Sequence, residues 1–364
     1  MKKITGTLGG LAIMALALTA CGSGDGGDSA AGASESSVKL QFASYLGSRM
    51  PESQAFQWAF DEIEAQTDGA VTVDPVWDSG LLGGPDILPG VSDGRADMGF
   101  MTVLYNPAEL PLSQMATVPF VTEDPVAVRE SYAELYETNE EFRSEWENAG
   151  VIPLTFGGNG VSTLGTNGAV SQVEDLEGMT LRATGFTATA MTDADVNVVS
   201  IPSPEIYESM QRGMIEGWST QIFDNITVQS LEEVTSHISE PGIGIYTANA
   251  FIIGDHAWEQ LSEENQQIVT DIAAQIPEKH QEILQEFDAQ ICGELQDAGV
   301  EVTVWEDSAK EAWRTEIGTS LIDQWKSDVS GSTENADGLW DEFQSLLEKH
   351  DSDFVSGVNQ CAGE

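Results

Sequence analysis

Positive charge is scarce in this chain of 364 residues. Seven lysines and seven arginines stand against 61 Asp and Glu, a formal charge of −47. No basic surface exists to neutralise phosphates, which excludes nucleic acid as a partner and argues against docking on anionic lipid by charge. Histidine is scarcer still. His237, His256, His280 and His350 are scattered, with neither an H-E-x-x-H nor a paired-ligand spacing, so no metal site is expected from the pattern. No Walker-type loop is present, and the G-x-S-x-G at Gly90–Gly94 and G-x-G-x-x-G at Gly22–Gly27 fall at the end of a short helical stretch and in the Gly/Ser tract rather than in the strand–turn–helix context those motifs need, so no cofactor is expected. The cluster Gly157-Gly158-Asn159-Gly160 reads as a turn rather than a phosphate cradle. Carboxylates are so abundant that no pair of them identifies a general acid and base. A catalytic reading therefore has no residues to stand on, and the expectation is a protein that is not an enzyme.

What is present is enough for a core. The hydrophobic fraction is 41%, with nine Trp and thirteen Phe, which excludes a disordered acidic tail. The length suggests two domains. The acidic excess gives a self-repelling, hydrated surface that concentrated salt would screen, so a salt-tolerant source is expected.

The N-terminus sets the compartment. Lys2 and Lys3 precede a mostly apolar or small stretch, Leu8 to Ala20, which is shorter than the roughly 20 residues of a membrane span. It reads as an export signal over residues 1–20. Leu18-Thr19-Ala20-Cys21 resembles the bacterial lipobox, which makes Cys21 the expected lipidated N-terminus of the mature protein and its membrane anchor; an ordinary secretory signal with Cys21 incidental is the alternative. The following tract to Ser37, nearly all Gly, Ser, Ala and Asp, reads as a flexible tether. Cleavage removes two lysines and no acid, so the charge falls to −49. Cys292 and Cys361 then remain as an even pair in an oxidising compartment, either a disulfide pinning the C-terminal tail to a helix over 281–299 or two buried thiols.

From Val38 the pattern alternates strand and helix. Val38 to Phe42 has period two, Gln54 to Gln66 carries Phe56, Phe60 and Ile63 at helical spacing, and Val71-Thr72-Val73 begins a second strand. Further helices are expected over 85–92, 125–149, 308–326 and 338–350, and almost throughout 259–297 with an interruption near Pro277. Strands are expected over 97–103, 151–156 and 300–304. Repeated βαβ units imply an α/β fold with a mainly parallel sheet.

One arginine stands apart. Between Gly150 and Lys279 the only basic side chains are Arg182 and Arg212, and Arg212 reads as a solvated helix-end residue. Arg182 lies in Leu181-Arg182-Ala183 after the turn Asp175-Leu176-Glu177-Gly178. A guanidinium fixed on a strand can take a carboxylate through two parallel hydrogen bonds; a structural salt bridge is the other reading. The segment Asp175 to Arg182 is similar to D-L-K-G-x-K-I-R of the DctP family, the substrate-binding proteins of tripartite ATP-independent periplasmic (TRAP) transporters. Ile201 to Gly217 is similar to that family's P-x-x-E-V-Y-x-A-L-Q-x-G-x-V-D-G. Gly80 to Gly84 with Val91 to Met98, and Ala257 to Ser262, extend the resemblance over about Leu40 to Gln296.

The resemblance implies a two-lobed, periplasmic-binding-protein-like fold with a hinge, a ligand cleft and a long helix crossing both lobes. The lobes would be 38–158 plus about 246–285, and 159–245 plus about 286–364. It implies capture of a small organic acid, its carboxylate clamped by Arg182, and delivery to the membrane permease subunits. The sequence departs from sialic-acid-binding members. Ser162 stands where they carry a second arginine, Thr220 where they have a carboxylate-binding Asn, and Ser203 where they have Phe; Tyr45 and Thr102 replace other polar contacts. Sialic acid is therefore not expected. Trp218, Phe223 and Trp77 are candidates for an aromatic wall that would favour a ring-bearing ligand, with core packing as their alternative, and Asn159 is a further candidate contact. Other classes left open are a receptor for an ABC-type transporter or a sensor, and an extracytoplasmic enzyme acting on an organic acid.

Overall fold

A computed structural model describes residues 37–158 and 160–363. The export signal, Cys21 and the tether up to residue 36, together with Asn159, lie outside the described residues. Among the described residues the strands are β1 (Val38–Ala43), β2 (Val71–Val76), β3 (Met98–Thr102), β4 (Val151–Gly158), β5 (Thr163–Thr166), β6 (Thr180–Arg182), β7 (Asn197–Val199), β8 (Gly217–Gln221), β9 (His237–Glu240), β10 (Ala248–Gly254) and β11 (Glu301–Val304). They form two sheets, ordered β2-β1-β3-β10-β4 and β11-β9-β5-β8-β6-β7. Each sheet is the centre of one lobe.

The first lobe grows from aromatic packing. In β1 the alternation buries Leu40 and Phe42, and Phe42 meets Phe56, Phe60 and Trp77 at ring-centroid distances of 5.6, 5.0 and 5.3 Å. Phe56, Phe60 and Ile63 all lie on the inward face of the helix Pro51–Gln66. That helix opens on Pro51, whose missing N–H costs nothing in a first turn.

The sheets are mixed rather than mainly parallel. β10 runs antiparallel to both β3 and β4, and β5 antiparallel to both β8 and β9. The cause is the way the chain changes lobes. β5 follows directly from β4, and β10 follows from β9, so each enters its new sheet without the helical crossover that a parallel neighbour needs. The two crossing segments run side by side: Val161 bridges Ile245, and Ser162 N donates to Gly244 O at 2.9 Å. A third connection is the helix Ile276–Ala298, which packs on Pro51–Gln66 in the first lobe and on Asn225–Val228 and β11 in the second.

Several expected helices are broken at identifiable residues. The 125–149 stretch forms Pro125–Thr138 and Glu140–Asn148, because the Asn139 side chain accepts from Phe142 N and starts a second helix. Pro277 does not interrupt a helix; it sits in the first turn of Ile276–Ala298, and the break falls at 274–275. The 308–326 stretch divides at Gly318, whose φ is 55°. The helix Ala336–Lys349, expected with the second lobe, packs on Pro125–Thr138, where Phe343 meets Tyr132 at 5.7 Å. Cys292 and Cys361 are bonded, with Cα atoms 5.5 Å apart across 69 residues of chain.

Candidate functional site

Arg182 ends β6, which pairs in parallel with both β7 and β8. Its side chain is only 2% exposed and folds beneath the end of β8. Nε donates to Ile201 O at 3.0 Å, and one terminal nitrogen donates to Ser219 O at 2.9 Å and Thr220 O at 2.8 Å as well as to the Thr220 hydroxyl. The other terminal nitrogen has no hydrogen-bond partner among the described residues, and none of their carboxylates pairs with Arg182. Burial accordingly pulls its pKa below the usual arginine range.

Thr220 is held in an unusual backbone conformation to do this. Its φ is 57°, a left-handed geometry that β-branched residues avoid, and it follows a register shift in the pairing of β8 with β5. The turn aims both its carbonyl and its hydroxyl at Arg182. Ser162 supports it from the neighbouring crossing strand, its hydroxyl accepting from Thr220 N at 3.2 Å.

Arg182 lines a narrow cavity between the lobes, with about 20 Å³ of free space. Tyr45, Phe100, Thr102 and Tyr105 face it from the first lobe, Ser203 and Ile222 face it from the second, and Tyr246 joins from the returning crossing segment. The Tyr45 hydroxyl and the Thr102 hydroxyl are 2.6 Å apart. Burial pushes the phenols of Tyr45 and Tyr105 above the ordinary tyrosine range, so both stay neutral hydrogen-bonding groups. Ser203 is held by Gln221 and Gln229 at 3.2 and 3.1 Å. The arrangement is one buried cation in a chamber walled by four aromatic rings, aliphatic side chains and hydroxyls, with Asn225 and the Glu52 carboxylate also on its lining, which suits a small anion with a flat or apolar body.

The other expected contacts lie elsewhere. Trp218 is a core residue: it is fully buried, its Nε1 donates to Thr235 Oγ1 at 3.0 Å, and its ring lies on Gly165, where a Cβ would come within 2.1 Å of the indole. Trp77 packs on Phe42 and Phe60 in the first lobe's core. Phe223 faces a separate cavity. Ser162 and Thr220 are buried behind Arg182 and do not line the chamber. Tyr105, Tyr246 and Phe100 were not anticipated. A positional signal did exist for the first: Tyr45, Tyr105 and Arg182 all lie at or just beyond the carboxyl ends of strands, where open α/β sheets bind ligands.

Fold and cleft together define a solute-binding protein. The model of the family described as bacterial extracellular solute-binding protein, family 7 (DctP), matches residues 42–328, and the chain belongs to that family. The 2,3-diketo-L-gulonate-binding periplasmic protein YiaO of Escherichia coli is 23% identical over 281 residues, covering 74% of this chain and 81% of its own. The ectoine-binding periplasmic protein TeaA of Halomonas elongata is 24% identical over 296 residues, covering 76% and 85%. Among solved structures, a TRAP solute-binding protein from a marine metagenome, specific for aromatic acids and co-crystallised with 3-hydroxybenzoate, superposes with a TM-score of 0.78. It is 19% identical and covers 87% of this chain and 99% of its own. Among the described residues no helix is long and apolar enough to cross a membrane.

Proposed function

We propose that this protein captures a small organic acid between its lobes, pairing the carboxylate with Arg182, and delivers it to the membrane subunits of a TRAP transporter while Cys21 anchors it as a lipoprotein outside the cell. The observation that carries the reading is the buried guanidinium of Arg182. It faces the inter-lobe chamber with one nitrogen uncommitted and no carboxylate paired with it, although Glu52 lines the same chamber. An ionised group kept from water is costly unless it is paired, so the missing counterion is best supplied by the ligand. In a closed chamber of low polarity that pair would be far stronger than in water.

The aromatic walls favour an acid carrying a ring or a flat apolar portion. Tyr45, Phe100, Tyr105 and Tyr246 offer faces and edges to such a body, and the hydroxyls of Tyr45, Thr102 and Ser203 offer hydrogen bonds to its substituents. Binding of 3-hydroxybenzoate by the marine relative supports this choice.

A thermal-shift screen against aromatic, sugar and short dicarboxylic acids tests the reading. Aromatic monocarboxylates should raise the melting temperature most and be recovered unchanged. Stabilisation by C4 dicarboxylates alone would contradict the ring preference, and conversion of the ligand would contradict the transport role.

A further inference from the structure

A second inter-lobe cavity, of about 140 Å³, lies beside the Arg182 chamber and shares Glu52, Phe100 and Ile222 with it. Its walls are largely apolar, with Phe56, Phe156, Phe223 and Phe251 among them. Into this apolar surface the fold brings Glu52, Asp224 and His280, each offering a ligating atom within 4.8 Å of the others. Glu52 opens the first-lobe helix Pro51–Gln66, Asp224 follows β8 in the second lobe, and His280 belongs to the long helix Ile276–Ala298 that joins the lobes. The three lie far apart in sequence, which is why the spacing of the histidines gave no sign of them.

Two of these groups, Glu52 and His280, are not fully satisfied by the protein itself. Glu52 and Asp224 are 7% and 6% exposed. Glu52 Oε2 and His280 Nε2 are both buried without a hydrogen-bond partner, and they stand 3.9 Å apart. A native fold rarely leaves such atoms unpaired. The surrounding charge does not resolve the matter. Asp288, farther along the long helix, lines the same cavity and adds a third carboxyl, while the nearby Arg129 is ion-paired with Glu130 at 2.7 Å. One divalent cation would satisfy all three groups at once.

We propose that Glu52, Asp224 and His280 form a binding site for a divalent transition-metal cation, zinc or manganese, that ties the two lobes to the helix connecting them. The donor set decides the class of ion. Two carboxylate oxygens with one imidazole nitrogen suit zinc or manganese, whereas calcium and magnesium prefer all-oxygen sites. Metal–ligand distances of about 2.0–2.2 Å require donor atoms roughly 3–4 Å apart, so the present spacing needs only a small inward adjustment. Because the ligands come from both lobes and the connecting helix, the ion would hold one relative placement of the lobes. The site uses neither Arg182 nor any organic acid, so it stands or falls independently of the function proposed above.

The test is titration of the full, untagged, EDTA-stripped chain with Zn²⁺, and separately Mn²⁺, by calorimetry in 1 M NaCl, which screens loose binding to the acidic surface. One saturable equivalent is expected. Glu52→Gln and His280→Ala should each weaken it at least about tenfold, with metal-free melting temperatures close to that of the parent. In case a variant fails to fold, crystals of the parent soaked in zinc should give one anomalous peak between Glu52, Asp224 and His280. Absence of saturable binding, affinity unchanged by both substitutions, or zinc located only on surface carboxylates would each overturn the proposal.

Discussion

Arg182 and Thr220 hold each other in place: the guanidinium needs acceptors beneath β8, and the left-handed turn at Thr220 supplies two of them. Thr220→Val keeps the side-chain shape and removes only the hydroxyl. The substitution should cost about 1–3 kcal/mol in urea unfolding, since a buried charged donor loses an acceptor while the backbone strain remains. Unchanged stability would mean that the hydroxyl holds nothing. Glu145 offers a second residue-scale test. Its carboxyl accepts from the backbone amides of Leu112 and Ser113 and from the Ser113 hydroxyl, yet burial outweighs these donors and raises its pKa to about 7. The folded protein thus retains a proton that the unfolded chain releases near its ordinary value of 4.5. The contribution of this group to stability should therefore fall as pH rises from about 4.5 to about 7 and level off above that. A carbon-13 titration of the Glu145 carboxyl should show a midpoint near 7; a midpoint near 4.5 would contradict the burial argument.

At the scale of elements, the Cys292–Cys361 bond fastens the last helix, Gly357–Ala362, to the long helix. Closing a loop of this length constrains the unfolded chain, worth about 4 kcal/mol in the chain-entropy picture. Cys292→Ser should lower the melting temperature under oxidising conditions and hardly at all with reductant present. Equal loss in both would point to thiol packing instead. Element types were legible wherever the hydrophobic period was strong, as in Val38 to Phe42 and around Phe56, Phe60 and Ile63. Breaks were not, because Asn139 and Gly318 act through single capping and turn geometries that leave the surrounding periodicity intact. The antiparallel placement of β5 and β10 was hidden for a different reason: it follows from which lobe the chain is entering, a long-range fact. At the site, Arg182 was legible because a lone basic residue stands out in an acidic chain. The aromatic wall was misassigned. Trp218 pairs in register with Arg182 between β8 and β6, but Gly165 admits its ring into the core, while Tyr105 and Tyr246 come from other segments.

For the whole molecule, two mixed sheets joined by paired crossing segments and a long helix make an inter-lobe chamber, and in the function proposed above the charge distribution would give that chamber its selectivity. A surface of formal charge −47 repels anions at long range, so attraction must be local and concentrated, which a single buried guanidinium achieves. High salt would screen the repulsion without reaching the buried cation. The same logic explains why one arginine suffices and why its loss should be decisive.

Calorimetric titration of the parent and Arg182→Ala with the acid that stabilises the parent most is the most direct measurement. The parent should bind one equivalent, and the variant should lose at least about a hundredfold in affinity, near 3 kcal/mol, while melting cooperatively as a folded protein. A folded variant that binds the acid as tightly as the parent would contradict the assignment of Arg182 as the carboxylate's partner.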